Sequence, residues 1–241
     1  MIGIISAMKF EMEGILSIVN VEEKKINCDL EFYICSYNNA KFVLSACGEG
    51  KVNASRCAQI MISCYAVKDI INIGVAGGLA QEANIGKLVL AHSVVQYDFD
   101  MTGLGVEKGL IPRGIRSERY PVGNKAKIFY ECSTQLIKVI KDVLNIEDLE
   151  YEFGIIATGD AFVSDKKLKK NIAEQFGAIA CDMEGAAVAH VCDCGEIGFA
   201  ELRKISDDAD EVADINYFAS HKQYKIEEVV VKIIEGYCYA S

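Results

Sequence analysis

The chain has 241 residues, 51% of them hydrophobic and 25% charged, a balance that fits a globular domain and excludes a disordered one. Asp and Glu number 35 against 25 Lys and Arg, and the net charge of −10 excludes a protein that tracks a nucleic-acid backbone through many basic contacts. No apolar run approaches the roughly 18 residues that a membrane span needs.

Apolar strands alternate with helical patterns along the chain. Ile2–Ile5 predicts a short buried strand and Met8–Val19 a helix. Glu31–Ser36 and Lys41–Cys47 predict an antiparallel hairpin around Asn38-Asn39. Val52–Tyr65 predicts a helix, and Asp69–Ile73 and Lys87–Gln96 predict strands. Residues 98–124 hold both prolines, Pro112 and Pro121, and five glycines; the stretch reads as a long surface excursion, a kind that is functional or disordered. Lys125–Asn145 predicts a long helix, Glu152–Ala157 a strand, and Asp165–Phe176 a helix that Ser164 could cap. Ala178–Cys181 predicts a strand, Glu184–Cys194 a helix, Phe199–Ile205 a strand and Ser220–Gly236 a closing helix. Strands separated by helices predict an α/β fold. We expect one domain over residues 1–241, with a central mixed, mostly parallel sheet flanked by helices. Ligands in such folds bind at the carboxyl ends of the strands.

The ten cysteines do not read as a disulfide framework. Several lie in apolar stretches, and Met1-Ile2-Gly3-Ile4-Ile5 lacks the basic start of a secretion signal. No Cys-x-x-Cys occurs, and no Cys is interleaved with His at zinc spacing. Buried free thiols in a reducing cytoplasm are the expectation.

The strand ends carry the chemistry. Ser6–Glu11, Gly48–Asn53, Gly74–Gly78, Thr158–Phe162, Asp182–Gly185 and Ile205–Asp210 all fall there. Gly48-x-Gly50 is a strand-to-helix turn rather than a phosphate cradle. Glu11, Glu184 and Asp207 each follow an apolar strand. Three carboxylates on one neutral pocket suit hydrolysis of a bond with an oxocarbenium-like transition state. One protonates the leaving group, one activates water and one holds sugar hydroxyls, the division of labour of glycoside hydrolysis. Each could equally be a helix N-terminal residue favoured by the dipole.

Ile2-Gly3-Ile4-Ile5-Ser6-Ala7-Met8-x-x-Glu11, Gly50-Lys51-Val52-Asn53-Ala54, Ala76-Gly77-Gly78-Leu79, Thr158-Gly159-Asp160-Ala161-Phe162, Asp182-Met183-Glu184 and Arg203-x-Ile205-Ser206-Asp207 follow in order. Together they resemble the 5′-methylthioadenosine/S-adenosylhomocysteine nucleosidases of the nucleoside phosphorylase superfamily. The resemblance runs from residue 2 to about residue 234 and implies a nucleoside phosphorylase-like fold. It implies that Asp207 protonates purine N7, oriented by Ser206, and that Glu11 deprotonates the attacking water, with Arg203 near that water. It implies that Glu184 accepts bonds from the ribose hydroxyls, Phe162 stacks on adenine, backbone groups of Val163 read the adenine edge, and Met8 and Met183 pack on the sugar. Tyr217 completes this substrate-binding set. The implied reaction needs no metal or organic cofactor. The implied assembly is a homodimer with no nucleic-acid or membrane partner, in which a partner loop covers the 5′ pocket; residues 98–124 are the candidate loop.

Four features depart from the family pattern. Val75 stands where a small hydroxyl residue is usual, and Glu49 where an apolar residue lines the 5′-alkylthio pocket. Leu104 stands where an aromatic from the partner often covers that pocket, and Glu201 and Lys204 put charges into a last strand that is usually apolar. Glu49 is either a solvated residue before its helix or a hydrogen-bond partner for a polar 5′ group. The alternatives to a nucleosidase for thio-nucleosides are an adenosine-preferring nucleosidase, a purine nucleoside phosphorylase and a non-catalytic nucleoside-binding protein. A phosphorylase would need cations for phosphate, and Asn72 stands where such enzymes tend to carry Arg. A metal site on His92, His190 and His221 is a weak reading, because the three are scattered.

Overall fold

The computed structural model describes residues 1–80, 85–112, 126–220 and 226–240. β1 (Ile2–Ser6) is buried along its whole length, and α1 (Lys9–Ile18) buries Met12 and Ile15 on one face. β2 (Asn20–Asn27), β3 (Leu30–Tyr37) and β4 (Ala40–Ala46) form an antiparallel meander. Its two turns use left-handed residues: Cys28 and Asp29 at φ 48° and 61°, Asn38 and Asn39 at 44° and 70°. Two consecutive positive φ angles make the tight hairpin turn whose twist matches the strands. α2 (Lys51–Tyr65) leads to β5 (Asp69–Gly78), β6 (Leu88–Gln96) and the short β7 (Phe129–Glu131). α3 (Thr134–Ile146), β8 (Tyr151–Thr158), α4 (Lys166–Phe176), β9 (Ala178–Asp182), α5 (Gly185–Gly195) and β10 (Gly198–Asp207) follow. α6 (Ala213–Ser220) and α7 (Glu227–Ala240) close the described chain.

The ten described strands form one mixed sheet in the order β10-β6-β8-β9-β5-β1-β4-β3-β2, with β7 on β6. β10 also pairs with β5, so β5, β10, β6, β8 and β9 close into a ring. Its longest ladders, β10 on β5 and β6 on β8, are parallel. The ring shuts through a short antiparallel contact of Gly77 and Gly78 with Cys181 and Ala180. β5 is the hub, paired with β1, β9 and β10. Helices cover both faces. Met61 and Cys57 of α2 pack with Ala186, Val188 and Cys192 of α5 on one; Ile15 of α1, Ile140 of α3 and Ile234 of α7 pack on the other. Each fully buried Met, Val or Ile among them contributes about 1.5–3 kcal/mol.

The structure moves several boundaries. The described part of the stretch expected as one helix over Lys125–Asn145 divides: Phe129–Glu131 pairs with β6, and Ser133 caps α3 by accepting from the Leu136 N–H at 3.4 Å. The aromatic pair Phe129-Tyr130 favours a strand over a helix there. Asp165, not Ser164, caps α4, accepting from the Leu168 N–H at 2.7 Å. The closing helix is α7 alone; α6 precedes it, and residues 221–225, with His221, lie outside the described residues. β2 was not expected, because its side chains are mostly polar, with four charges in a row; it is an exposed edge strand, where charge guards against pairing with another chain. Within the 98–124 excursion, Thr102–Leu104 makes a 3₁₀ turn and Ile111 bridges to Lys127, while residues 113–125 lie outside the described set.

All ten cysteines are free, six of them buried. No described helix is long and apolar enough to cross a membrane. Among the described residues, no three His, Cys, Asp or Glu side chains gather as a metal site. His92 packs edge-on against Phe153, and His190 stacks on Tyr130.

Candidate active site

The carboxyl ends of β1, β5, β9 and β10 meet around a cavity of about 330 Å³. Met8, Glu11, Glu49, Val75, Phe162, Val163, Met183, Glu184, Arg203, Ser206, Asp207 and Tyr217 all line it. Leu104 does not line the cavity of its own chain; it stands 59% exposed on the 3₁₀ turn.

Glu11 occupies the third position of α1, where a side chain can reach back over the helix start. Its Oε2 accepts from the N–H groups of Ala7 at 2.9 Å and Met8 at 2.8 Å, and its Oε1 from that of Val75 at 3.0 Å. Three backbone donors therefore fix the carboxylate across two strand ends. Burial pushes its pKa up, opposed by Arg203 and by those donors.

Asp207 follows a bulge in the β10–β5 ladder between Ile205 and Asp207. A bulge re-aims the next side chain, here into the cavity. Oδ2 accepts from the Ser206 hydroxyl at 2.6 Å and Oδ1 from the Ala209 N–H at 2.8 Å. Burial raises the Asp207 pKa; the two donors oppose it, and Asp208 and Asp210 add to it.

Glu184 stands at the N-terminus of α5. Its Oε1 accepts from the Gly50 N–H at 2.9 Å, so the Gly48–Gly50 turn serves to hold a carboxylate. Burial pushes its pKa up to about 7, with Arg203 opposing. Phe162 lies at the mouth, 46% exposed and edge-on to Tyr217, whose hydroxyl donates to the Met8 sulfur at 2.7 Å. Glu49 is exposed at the same rim.

Behind these groups lies a charge network that the sequence reading did not assemble. The Arg203 guanidinium is fully buried. Its Nε donates to Glu201 at 2.6 Å, and its Nη2 donates to Asp182 and Asn72 and faces Glu184 at 3.5 Å. Asp182 in turn accepts from the Thr158 hydroxyl at 2.5 Å and the Gly185 N–H at 2.6 Å. Gly74 makes room at the front. It has φ +151°, and a Cβ there would sit 2.5 Å from Arg203 Nη1 and 2.6 Å from Glu11 Oε1. The signal for this network was in the sequence: Glu201 and Arg203 alternate with apolar residues in a buried strand, so they share one face. Arg203 is the only basic side chain among the described residues that line the cavity, and carboxylates surround it. Asn72, fully buried, donates to the Ile5 carbonyl at 3.0 Å and offers phosphate no cation.

The model of the phosphorylase superfamily matches residues 1–235. Aminodeoxyfutalosine nucleosidase of Campylobacter jejuni is 34% identical over 216 residues, 90% of this chain and 89% of that protein. 5′-Methylthioadenosine/S-adenosylhomocysteine nucleosidase of Staphylococcus epidermidis is 31% identical over 240 residues, covering 98% and 100%. Among solved structures, the futalosine hydrolase of Helicobacter pylori superposes with a TM-score of 0.88 at 31% identity, covering 97% of both chains. A ligand-bound 5′-methylthioadenosine/S-adenosylhomocysteine nucleosidase from H. pylori also gives 0.88, at 29% identity and 97% coverage of both. The chain belongs to the phosphorylase superfamily. Its enzyme class is that of these nucleosidases, N-glycosyl hydrolases acting on nucleosides.

Proposed function

We propose that the chain hydrolyses the N-glycosidic bond of a 5′-substituted adenosine, with water as nucleophile and adenine as leaving group. The observation that carries this reading is the convergence of Glu11, Glu184 and Asp207, each buried and differently bonded, on one cavity. Asp207 gives its proton to N7, so that adenine departs neutral; Ser206 and Ala209 then hold the carboxylate left behind. Glu184 accepts the ribose 2′- and 3′-hydroxyl protons in hydrogen bonds and faces the positive charge growing at C1′. Glu11 takes the proton of the water that attacks C1′. The products are adenine and the free 5′-substituted ribose. Phe162 and Val163 bind the base, and Met8 and Met183 the sugar. The assembly we propose is a homodimer, with Leu104 of the excursion facing the partner's 5′ pocket.

Glu184 accepts hydroxyl protons only as the carboxylate. Its pKa near 7 therefore predicts that kcat/KM falls as pH drops below about 7. A pH profile of adenine release checks this limb.

The first candidate substrates are 5′-methylthioadenosine and S-adenosylhomocysteine. Aminodeoxyfutalosine is the second reading, favoured by the C. jejuni relative. Side-by-side adenine release from all three, with adenosine added, ranks them; no release from any would overturn the proposal. Glu49 at the rim is the residue we expect to set the ranking. It can accept from a polar 5′ group, and a site built to bond such a group rejects analogues that lack it. Glu49→Ile should shift the kcat/KM ratio toward 5′-methylthioadenosine by about tenfold or more. An unchanged ratio would assign Glu49 to solvent.

A further inference from the structure

Glu201 is fully buried in β10, and its side chain does not line the cavity. Nothing in the proposed reaction uses it. A carboxyl sealed in a strand is costly unless its neighbours are arranged for it, and here they are. Its Oε1 accepts from Arg203 Nε at 2.6 Å. Its other oxygen lies against the Cα of Gly185, where a Cβ would come within 2.1 Å of it. Gly185 is thus the notch into which the carboxyl fits.

We propose that Glu201 is a positioning residue for hydrolysis: it holds the Nε edge of Arg203 from behind, so that the Nη edge stays turned toward Glu184 and Glu11. The proposal rests on the reading of those two carboxylates given above. A guanidinium is a rigid planar fork, so fixing one edge fixes the direction of the other. Asn72 and Asp182 hold Nη2, while Nη1 has only a long bond of 3.4 Å to the Val75 carbonyl. The 2.6 Å bond from Nε to Glu201 is the short contact that fixes the other edge of the fork.

The charge count says in which form Glu201 does this. Glu11 from α1, Asp182 from β9, Glu184 from α5 and Glu201 itself face one guanidinium, and the Cys132 thiol beside Glu201 is held neutral by burial. Four carboxylates cannot all stay ionised around one buried cation. Glu201 is the most enclosed of the four, and burial together with the Asp182 charge pushes its pKa well up, so the proton falls to Glu201. Its Oε2 has no hydrogen-bond partner among the described residues, a position that a buried ionised oxygen could hardly keep. A neutral Glu201 still accepts from Nε, and the carbonyl oxygen of Gln can make that same bond.

The test compares Glu201→Gln with Glu201→Ala in the full-length enzyme, each checked for folding by thermal melting. Glu201→Gln should keep kcat within about threefold of the parent, whereas Glu201→Ala should lose about tenfold to a hundredfold in kcat with KM little changed. Glu201→Ala should also move the acid limb of the kcat/KM profile to higher pH. An unheld guanidinium stabilises the Glu11 and Glu184 carboxylates less, so both take up protons earlier on acidification. Should Glu201→Ala not fold, Glu201→Met, nearly the same length and unable to bond Nε, takes its place. Parent-like kcat in the variant lacking the carboxyl would overturn the proposal. So would a Gln variant as impaired as the Ala one, or an acid limb that moves down, which would mark Glu201 as a through-space charge. These outcomes leave the proposed function standing; that reading fails only if the parent enzyme releases no adenine.

Discussion

Replacing Asp207 by Asn should lower kcat for adenine release by at least about two orders of magnitude, with the fold intact. Adenine is a poor leaving group as an anion and a good one once N7 is protonated. The acid must therefore hold its proton until substrate is bound and release it as the bond breaks. The structure supplies both halves. Burial raises the Asp207 pKa, and the Ser206 hydroxyl and Ala209 N–H wait to stabilise the carboxylate that transfer creates. Asn keeps the shape and can still bond N7 through its amide, so substrate affinity should change little. It has no proton to transfer, and the loss should appear in kcat. A two-order loss is close to 3 kcal/mol of barrier. Near-parent turnover would remove Asp207 from the mechanism.

Glu11→Gln should cost a similar factor for a different reason. The Glu11 carboxylate accepts three backbone N–H groups, from Ala7, Met8 and Val75. A Gln amide must turn its NH₂ toward at least one of those donors, which leaves a buried N–H without an acceptor and costs about 1–3 kcal/mol of stability. It also lacks the basicity to take a proton from water. We expect a kcat loss of at least about a hundredfold together with a lower melting temperature. Steady-state kinetics and a melting curve read the two effects separately. A variant with lowered melting but normal kcat would make Glu11 a structural cap of α1 and no base.

These two residues were legible in the sequence because each lies in a local motif at a strand end, Asp207 closing β10 and Glu11 in the first turn of the helix after β1. The apolar run Ile2–Ile5 predicts β1, and a glutamate in the first turn of the helix that follows has one natural direction to point. Most strands were equally legible from apolar runs. β2 was not, because an edge strand buries little and its charges carry no period. The boundary at Ser133 was hidden because helical residues follow an aromatic pair without a Gly or Pro to mark the change. The site was legible where one segment carries the chemistry and illegible where it depends on several. Asn72, Asp182, Glu201 and Arg203 come from β5, β9 and β10, and only the closed ring of strands brings them together. Charges in the last strand looked out of place by the rule for buried strands. The structure gives the reason for Glu201: it pairs with Arg203 inside.

The claim that water is the nucleophile can be tested directly. Adenine release from 5′-methylthioadenosine should run at full rate in phosphate-free buffer, yield the free sugar, and not rise when phosphate is added. The carboxylates around Arg203, the only basic side chain among the described residues lining the cavity, repel an anionic nucleophile and are the basis of that expectation. Release that begins only when phosphate is added, with a sugar 1-phosphate as product, would contradict the account and make the enzyme a phosphorylase.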